Sequence, residues 1–340
     1  MALTDIPGHR RAVARLEAAL RSGRSSHAYL VVGPAGVGRL ELARELAAVL
    51  LCDRGGESKC GACRSCSACA SGSHPDYEEL GVPEGKQELP IELIRQLQDR
   101  AALKPLLSGR RVFVVKDAER MNIAAANCFL KTLEEPPGAA CIILIATGLW
   151  DLPETIVSRC QVVKLGALPA EAVQESLQEE GLAQADAWWL ARRAWGSPGL
   201  AAAFGHMNLH VVNAELAQSV LEMTPQDAAS LTDRLCGLAS GGGGGAAQSR
   251  LLLQEILECL AVLYRDAAVA LVAQGEVELF NVALDERLRA FAARCDLDLL
   301  IDCADRALEA VDSIGANANV SLTLDNLFAG LGGTLTARPG

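Results

Sequence analysis

The sequence lacks any apolar run approaching the roughly 20 residues that a bilayer span requires. Its longest candidates, Ala139–Ala146 and Leu251–Leu263, are short or interrupted by Gln and Glu, so no membrane anchor is expected. It also lacks, at its start, a basic region followed by an apolar core; no secretory signal is expected, and a cytosolic location is. Finally it lacks an excess of positive charge, since 31 Lys and Arg face 42 Asp and Glu for a net charge of −11. A broad grip on phosphate backbones needs clustered cations, so DNA contact is expected to be local or supplied by partners. No internal repeat is visible.

What is present is a chain of 340 residues, half of them hydrophobic, enough for two or three domains with substantial cores. Apolar spacing predicts a helix over 10–21, a buried strand at Tyr29–Val32 and, after the glycine turn Gly33–Gly38, a helix carrying Leu42, Leu46, Val49 and Leu50. The alternation continues with a helix from about Pro90 to Leu107, a strand at Arg111–Val115, a helix at Ala124–Leu133, and strands at Cys141–Ala146 and Gln161–Leu165. Strands separated by helices imply an α/β fold of the phosphate-loop type, its parallel sheet covered on both faces. Beyond Leu168-Pro169 only helical patterns follow, punctuated by Gly196-Ser-Pro-Gly199. Three domains are expected: residues 1–167, a small helical domain at 168–206 and an all-helical domain at 207–340. The run Ser240–Gly245 has too little side chain to pack and is expected to be a mobile loop.

Five of twelve cysteines, Cys52, Cys60, Cys63, Cys66 and Cys69, form C-x7-C-x2-C-x2-C-x2-C. In a chain without an export signal, one tight cluster reads as metal ligation rather than as disulfides. Zinc held by four thiolates is closed to substrate and therefore structural. The expected ligands are Cys52, Cys60, Cys63 and Cys66, with Cys69 spare and His74 a substitute; an iron–sulfur cluster and plain free thiols are the alternatives.

Gly33-Pro-Ala-Gly-Val-Gly-Arg39-Leu40 meets both glycines of G-x-x-x-x-G-K-[ST] and fails its last two positions. There a lysine would neutralise the outer phosphates and a hydroxyl would bind magnesium. Arg39 keeps a charge of different shape, and Leu40 offers no oxygen. The strand ending Val115-Lys-Asp117-Ala-Glu119 has Ala118 where a working site puts the glutamate that polarises water, with Glu119 one residue late. The set Gly33, Gly36, Gly38, Arg39 and Asp117 is thus expected to hold magnesium poorly, to bind ATP only residually and to have no intrinsic ATPase activity. The loop reads equally as a plain strand-to-helix turn.

Several segments together resemble bacterial clamp-loader subunits of the AAA+ family. They are His27-Ala-Tyr-Leu30, the degenerate loop, Leu51-Cys52 with the cysteine cluster, His74-Pro-Asp-Tyr77, Asp117-Ala-Glu-Arg-Met121, Ala126-Asn-Cys-Phe-Leu-Lys-Thr-Leu-Glu-Glu-Pro-Pro137 and Ser158-Arg-Cys160. They span roughly the first half of the chain. Asp117-Ala-Glu119, Gly196-Ser-Pro-Gly199 and the stretch Ala316–Leu327 are similar to the delta-prime branch; the gamma/tau motor carries an arginine in that Gly-Ser segment. The resemblance implies an AAA+ domain with a zinc module, a helical lid and a helical collar. It further implies a non-hydrolysing subunit of the DNA polymerase III clamp loader, partnered by gamma/tau-type motor and delta-type subunits. Through the complex it would meet the sliding clamp and primed DNA. Arg159 would be an arginine finger acting in trans on a neighbour's ATP; the plainer reading is that it ends a short helix and bonds its carbonyls. Thr147 lies where the family's nucleotide-sensing residue falls, whereas Trp188 and Trp189 read as packing anchors. Two rivals remain: an ATP-hydrolysing gamma/tau-type motor, and a zinc-stabilised nucleic-acid-binding module, against which the acidic balance argues.

Overall fold

The computed structural model describes residues 8–336 apart from 24, 57, 84, 137, 242–245 and 274–276. The glycine loop expected at Ser240–Gly245 therefore falls, over 242–245, outside the described residues. The chain divides into two compact units: one runs to Val173 and takes in Trp195–Leu200, and the other comprises Gln174–Ala194 and the chain from Ala201 onward.

In the first unit five strands, β1 (Ala28–Val32), β2 (Tyr77–Leu80), β3 (Arg111–Val115), β4 (Ala140–Ala146) and β5 (Gln161–Lys164), form one sheet in the order β2-β3-β4-β1-β5. Every pairing is parallel. The order of elements makes this so: α1 (Arg10–Arg21), α2 (Arg39–Leu51), α4 (Ile91–Ala101) and α5 (Ile123–Glu134) fall before or between strands, and such crossovers return the chain in the same direction. β4 reads Ala-Cys-Ile-Ile-Leu-Ile-Ala and is buried throughout, as a strand covered on both faces must be. Its alternate residues serve two cores. Ile142 and Leu144 join Leu30, Phe113 and Phe129 on one face, while Ile143 and Ile145 join Val31, Leu42, Leu46 and Val114 on the other. Each such fully buried side chain contributes about 2 kcal/mol.

β2 and α4 depart from the sequence reading. β2 is an edge strand of polar composition, Tyr-Glu-Glu-Leu, which no apolar period reveals; its Glu79 is held by the forked guanidinium of Arg44 on α2 at 2.7 and 3.0 Å. The helix expected to reach Leu107 stops at Ala101. Pro105 cannot donate within it, and the N–H groups of Leu106, Leu107 and Ser108 bond instead to the Asp76 carboxylate at 2.7–2.8 Å.

The second unit is helical among its described residues, built from most of α7 (Ala170–Glu179), α8 (Gln184–Arg193), most of α9 (Pro198–His206), α10 (Leu209–Leu221), α11 (Ala228–Gly241), α12 (Ala246–Val272), α13 (Asp285–Ala292), α14 (Leu297–Gly315) and α15 (Val320–Thr336). Two buried polar hubs fix its register. Arg193, 7% exposed, pairs with Glu255 and Glu258 at 2.6 Å each. Asp266 accepts from the backbone and side chain of Asn281, which in turn accepts from Trp189 Nε1 at 2.9 Å. Trp189 also meets Phe280 edge to face, and the Arg192 guanidinium lies over the Trp188 ring, so both tryptophans pack. No helix among the described residues is long and apolar enough to cross a membrane.

Candidate functional site

The glycine loop joins β1 to α2, with Gly38 capping α2 in the left-handed region. Gly33 opens the loop directly against β5: a Cβ there would come within 2.4 Å of the Leu165 carbonyl oxygen. Gly36, at φ 72°, leaves still less room, since a Cβ would lie 2.3 Å from the Ser197 hydroxyl oxygen and 2.9 Å from the Leu200 nitrogen. The chain's own groups have taken two of the loop's carbonyls. Gly199 N–H donates to Gly36 O at 2.9 Å, and the buried His9 ring donates through Nε2 to Val37 O at 2.8 Å. Arg39 forms no ion pair among the described residues, and Leu40 packs against the core of the α2 face.

The carboxylate side of the site is rearranged in the same sense. Asp117, two residues beyond β3, has φ 51°, a left-handed turn that Asp tolerates, and the chain continues into a short 3₁₀ turn at Ala118–Arg120. That turn drives Ala118, 0% exposed, into the core. It carries Glu119 to Thr147, whose hydroxyl lies 3.1 Å from Glu119 Oε1 and 2.9 Å from Asp151 Oδ2. One hydroxyl proton serves one of these carboxylates at a time. Two carboxylates around the hydroxyl repel a phosphate, so the position that resembles a nucleotide sensor is committed to groups of the chain itself.

Arg159 follows α6 (Glu154–Val157) and precedes β5. Its Nη1 donates to the Thr155 carbonyl at 2.8 Å, as the plainer reading of this residue has it. Its Nη2 pairs with Glu134 at the end of α5, and the side chain remains about one-third exposed. Cys160 beside it packs against the core, and burial pushes its thiol up to about 12. Glu134 is a partner that sequence reading missed; within Glu134-Glu135-Pro136 nothing distinguishes it from a solvated charge.

The sulfurs of Cys52, Cys60, Cys63 and Cys66 all lie within 4.8 Å of one another. Two pairs, Cys52–Cys63 and Cys60–Cys66, stand at 3.9 and 4.0 Å. Four sulfurs around a tetrahedral ion with bonds of ~2.3 Å would be about 3.8 Å apart, so the set fits such an ion. Clusters of several irons spread their sulfurs over different metal atoms and suit this spacing less well. α3 (Arg64–Ala70), unforeseen in the sequence, supplies Cys66, and its N-cap Cys63 Sγ accepts from Cys66 N–H at 3.3 Å. Backbone donors, Ala62 first, draw the Cys60 thiol down to about 6, while burial pushes Cys66 up to about 12. Cys69 packs beside the α2 core, its thiol raised by burial to about 11, and is not among the four.

His74, 4% exposed, is fully engaged elsewhere. Nδ1 accepts from Asp76 N–H at 3.1 Å, so the proton sits on Nε2, which lies 3.0 Å from Ser108 Oγ. Burial lowers its pKa despite the nearby Asp76 and Asp53 charges. The imidazole thus braces the turn beneath the cysteines, and neither nitrogen is free for a metal.

Residues 8–169 match the family described as DNA polymerase III, delta subunit. The DNA polymerase III subunit delta' of Pseudomonas aeruginosa is 39% identical over 168 residues, covering 49% of this chain and 47% of that protein. Its counterpart from Escherichia coli is 36% identical over 191 residues, covering 56% of this chain and 57% of that protein. The chain thus spans about half the length of the curated relatives it matches. Among solved structures, a gamma subunit-related protein of Thermotoga maritima aligns with a TM-score of 0.42 at 20% identity, over 94% of this chain and 99% of that one. Over residues 8–169 the chain is thus similar to the DNA polymerase III delta-subunit family and, in sequence, to delta-prime chains.

Proposed function

We propose that the chain is a delta-prime-type, non-hydrolysing AAA+ subunit of the DNA polymerase III clamp loader, comprising an AAA+ domain (1–167), a lid (168–206) and a collar (207–340). In this reading Arg159 reaches the ATP held by a neighbouring gamma/tau-type motor, a delta-type subunit completes the ring, and the sliding clamp and primed DNA are engaged through the complex. One observation carries it. The glycine loop still joins β1 to α2, yet Leu40 and Ala118 lie against the core, and Thr147 is bonded to carboxylates. Such a loop has neither a magnesium ligand nor a group to activate water.

A guanidinium delivered to a γ-phosphate needs no nucleotide chemistry in its own chain, which suits a surface arginine. The four cysteines are assigned to a structural zinc ion, which would add folding energy and take no part in turnover. The test compares the purified chain with a loader reconstituted from motor, delta-type and clamp proteins. The chain alone should not turn over magnesium–ATP, and Arg159→Ala should lower turnover at the site it serves by ~10³-fold or more with the melting temperature unchanged. Turnover by the chain alone at a motor's pace, or full loader activity with Arg159→Ala, would overturn the reading.

A further inference from the structure

β5 ends the sheet, and its outer edge has no partner among the described residues. Leu165 N–H donates to Val32 O at 2.8 Å. Alternate residues of a parallel strand turn their N–H and C=O groups to opposite sides, so those of Val162 and Lys164 face away from the sheet. Between this edge and α1 runs a groove of about 340 Å³, with Ala12, Leu16 and Val162 among its walls and Arg11, Arg15 and Lys164 around it.

These three cations are exposed and form no ion pair among the described residues. A lysine on a strand edge is a common guard against edge-to-edge association, which accounts for Lys164. It does not account for Arg11 and Arg15, which stand on α1. The first turn of α1 moreover carries Arg10 and Arg11 with no acidic residue, the sign opposite to the one that a helix N-terminus favours. Positive charge has been concentrated here against local preference, in a chain of net charge −11, and no ion pair among the described residues neutralises it.

We propose that this groove receives an extended acidic segment of a partner protein, which adds to β5 as a further strand. The outward groups of Val162 and Lys164 would supply the backbone hydrogen bonds, Arg11, Arg15 and Lys164 would meet the carboxylates, and the apolar wall would take alternate side chains. A nucleic-acid backbone would use the cations alone and leave both the strand edge and the apolar wall idle, which is why a peptide is favoured. The inference is independent of what Arg159 does.

The experiment uses the full chain and a fluorescent peptide of about eight residues in which glutamate and valine alternate, read by anisotropy. Saturable binding is expected, weakened about tenfold by the double change Arg11→Glu and Arg15→Glu. It should weaken about fivefold when the peptide's alternate amides are N-methylated, which removes strand pairing and leaves the charge intact. A single-stranded oligonucleotide of equal charge should bind less tightly. No binding of the peptide, binding indifferent to the charge reversal or to N-methylation, or tighter binding of the oligonucleotide would each overturn the proposal. Melting curves of the double variant establish that it is folded.

Discussion

Within one α/β unit the cysteine module and the glycine loop have had opposite fates. In the module all four sulfurs converge to a spacing that suits an ion, and backbone N–H groups of Cys60 and Cys66 point at sulfurs. In the loop two carbonyls, those of Gly36 and Val37, are taken by residues of the same chain, and Leu40 turns to the core. The contrast teaches that a motif can persist for two distinct reasons. The cysteines stand at a spacing that could hold a metal ion, whereas at Gly33 and Gly36 the neighbours Leu165, Ser197 and Leu200 leave no room for a side chain.

The largest expected effect tests the first half of that contrast. Cys66→Ser should abolish stoichiometric zinc, measured by atomic absorption, and destabilise the unit by on the order of 5 kcal/mol. Cys69→Ser should keep the metal and cost about 1 kcal/mol of packing. If zinc stays with Cys66→Ser or leaves with Cys69→Ser, the four-sulfur set is wrong.

Next comes the brace beneath the module. Asp76, 2% exposed, accepts three backbone N–H groups, so Asp76→Ala should cost about 3 kcal/mol in chemical denaturation. Burial alone would raise the Asp76 pKa, but those donors and Arg111 hold it below the usual carboxylate range, and burial holds His74 below its own. Both groups bind protons more readily when unfolded, so their contributions to stability are present at high pH and lost as pH falls. For His74 the loss begins below about pH 6.5, and for Asp76 below about pH 4. A His74→Gln variant should show a shallower decline in melting temperature between pH 7 and about pH 5; an unchanged slope would assign the acid sensitivity elsewhere.

The glycine loop gives a smaller effect. Gly36→Ala should cost about 1–3 kcal/mol through the left-handed backbone and the contact with Ser197, whether or not nucleotide is present. Restoring the motif's letters with Arg39→Lys and Leu40→Thr should give no turnover, because Ala118 is in the core and Thr147 is bonded to Glu119 and Asp151. An unperturbed Gly36→Ala protein, or magnesium-dependent turnover in the restored loop, would erase the contrast between the two sites.

The sheet was legible because strands buried on both faces are continuous apolar runs, as in Ala140–Ala146, and the cysteine spacing announced its own cluster. β2 was not legible, because Glu78 and Glu79 are tied down by ion pairs and Tyr77 by its hydrogen bond to Glu79 rather than by apolar period. α3 was hidden by cysteines that read as loop. The end of α4 depends on a carboxylate 25 residues upstream of Ala101, a distance that no local pattern spans. The same limit applies to Ala118, Thr147 and Arg159. The sequence identifies the altered positions, but only the fold reveals what each touches instead.

The pair between Arg159 and Glu134 sharpens the comparison at its finest scale, since under the proposed function it is a contact that would have to break. An arginine that works in trans must leave Glu134 before it can reach a neighbour's phosphate. Both side chains are a third to a half exposed, and a pair of that kind is worth at most about 1 kcal/mol. A γ-phosphate carries more charge than a carboxylate and can outbid it, so the contact retards engagement without preventing it. Glu134→Gln should therefore lower the ATP concentration for half-maximal loader turnover by up to about fivefold, with the melting temperature almost unmoved. An unaltered ATP dependence would leave the pair an idle surface contact; a rise would mean that Glu134 aims the guanidinium rather than retaining it. Neither result alters what Arg159→Ala reports, so the finger and its restraint can fail separately.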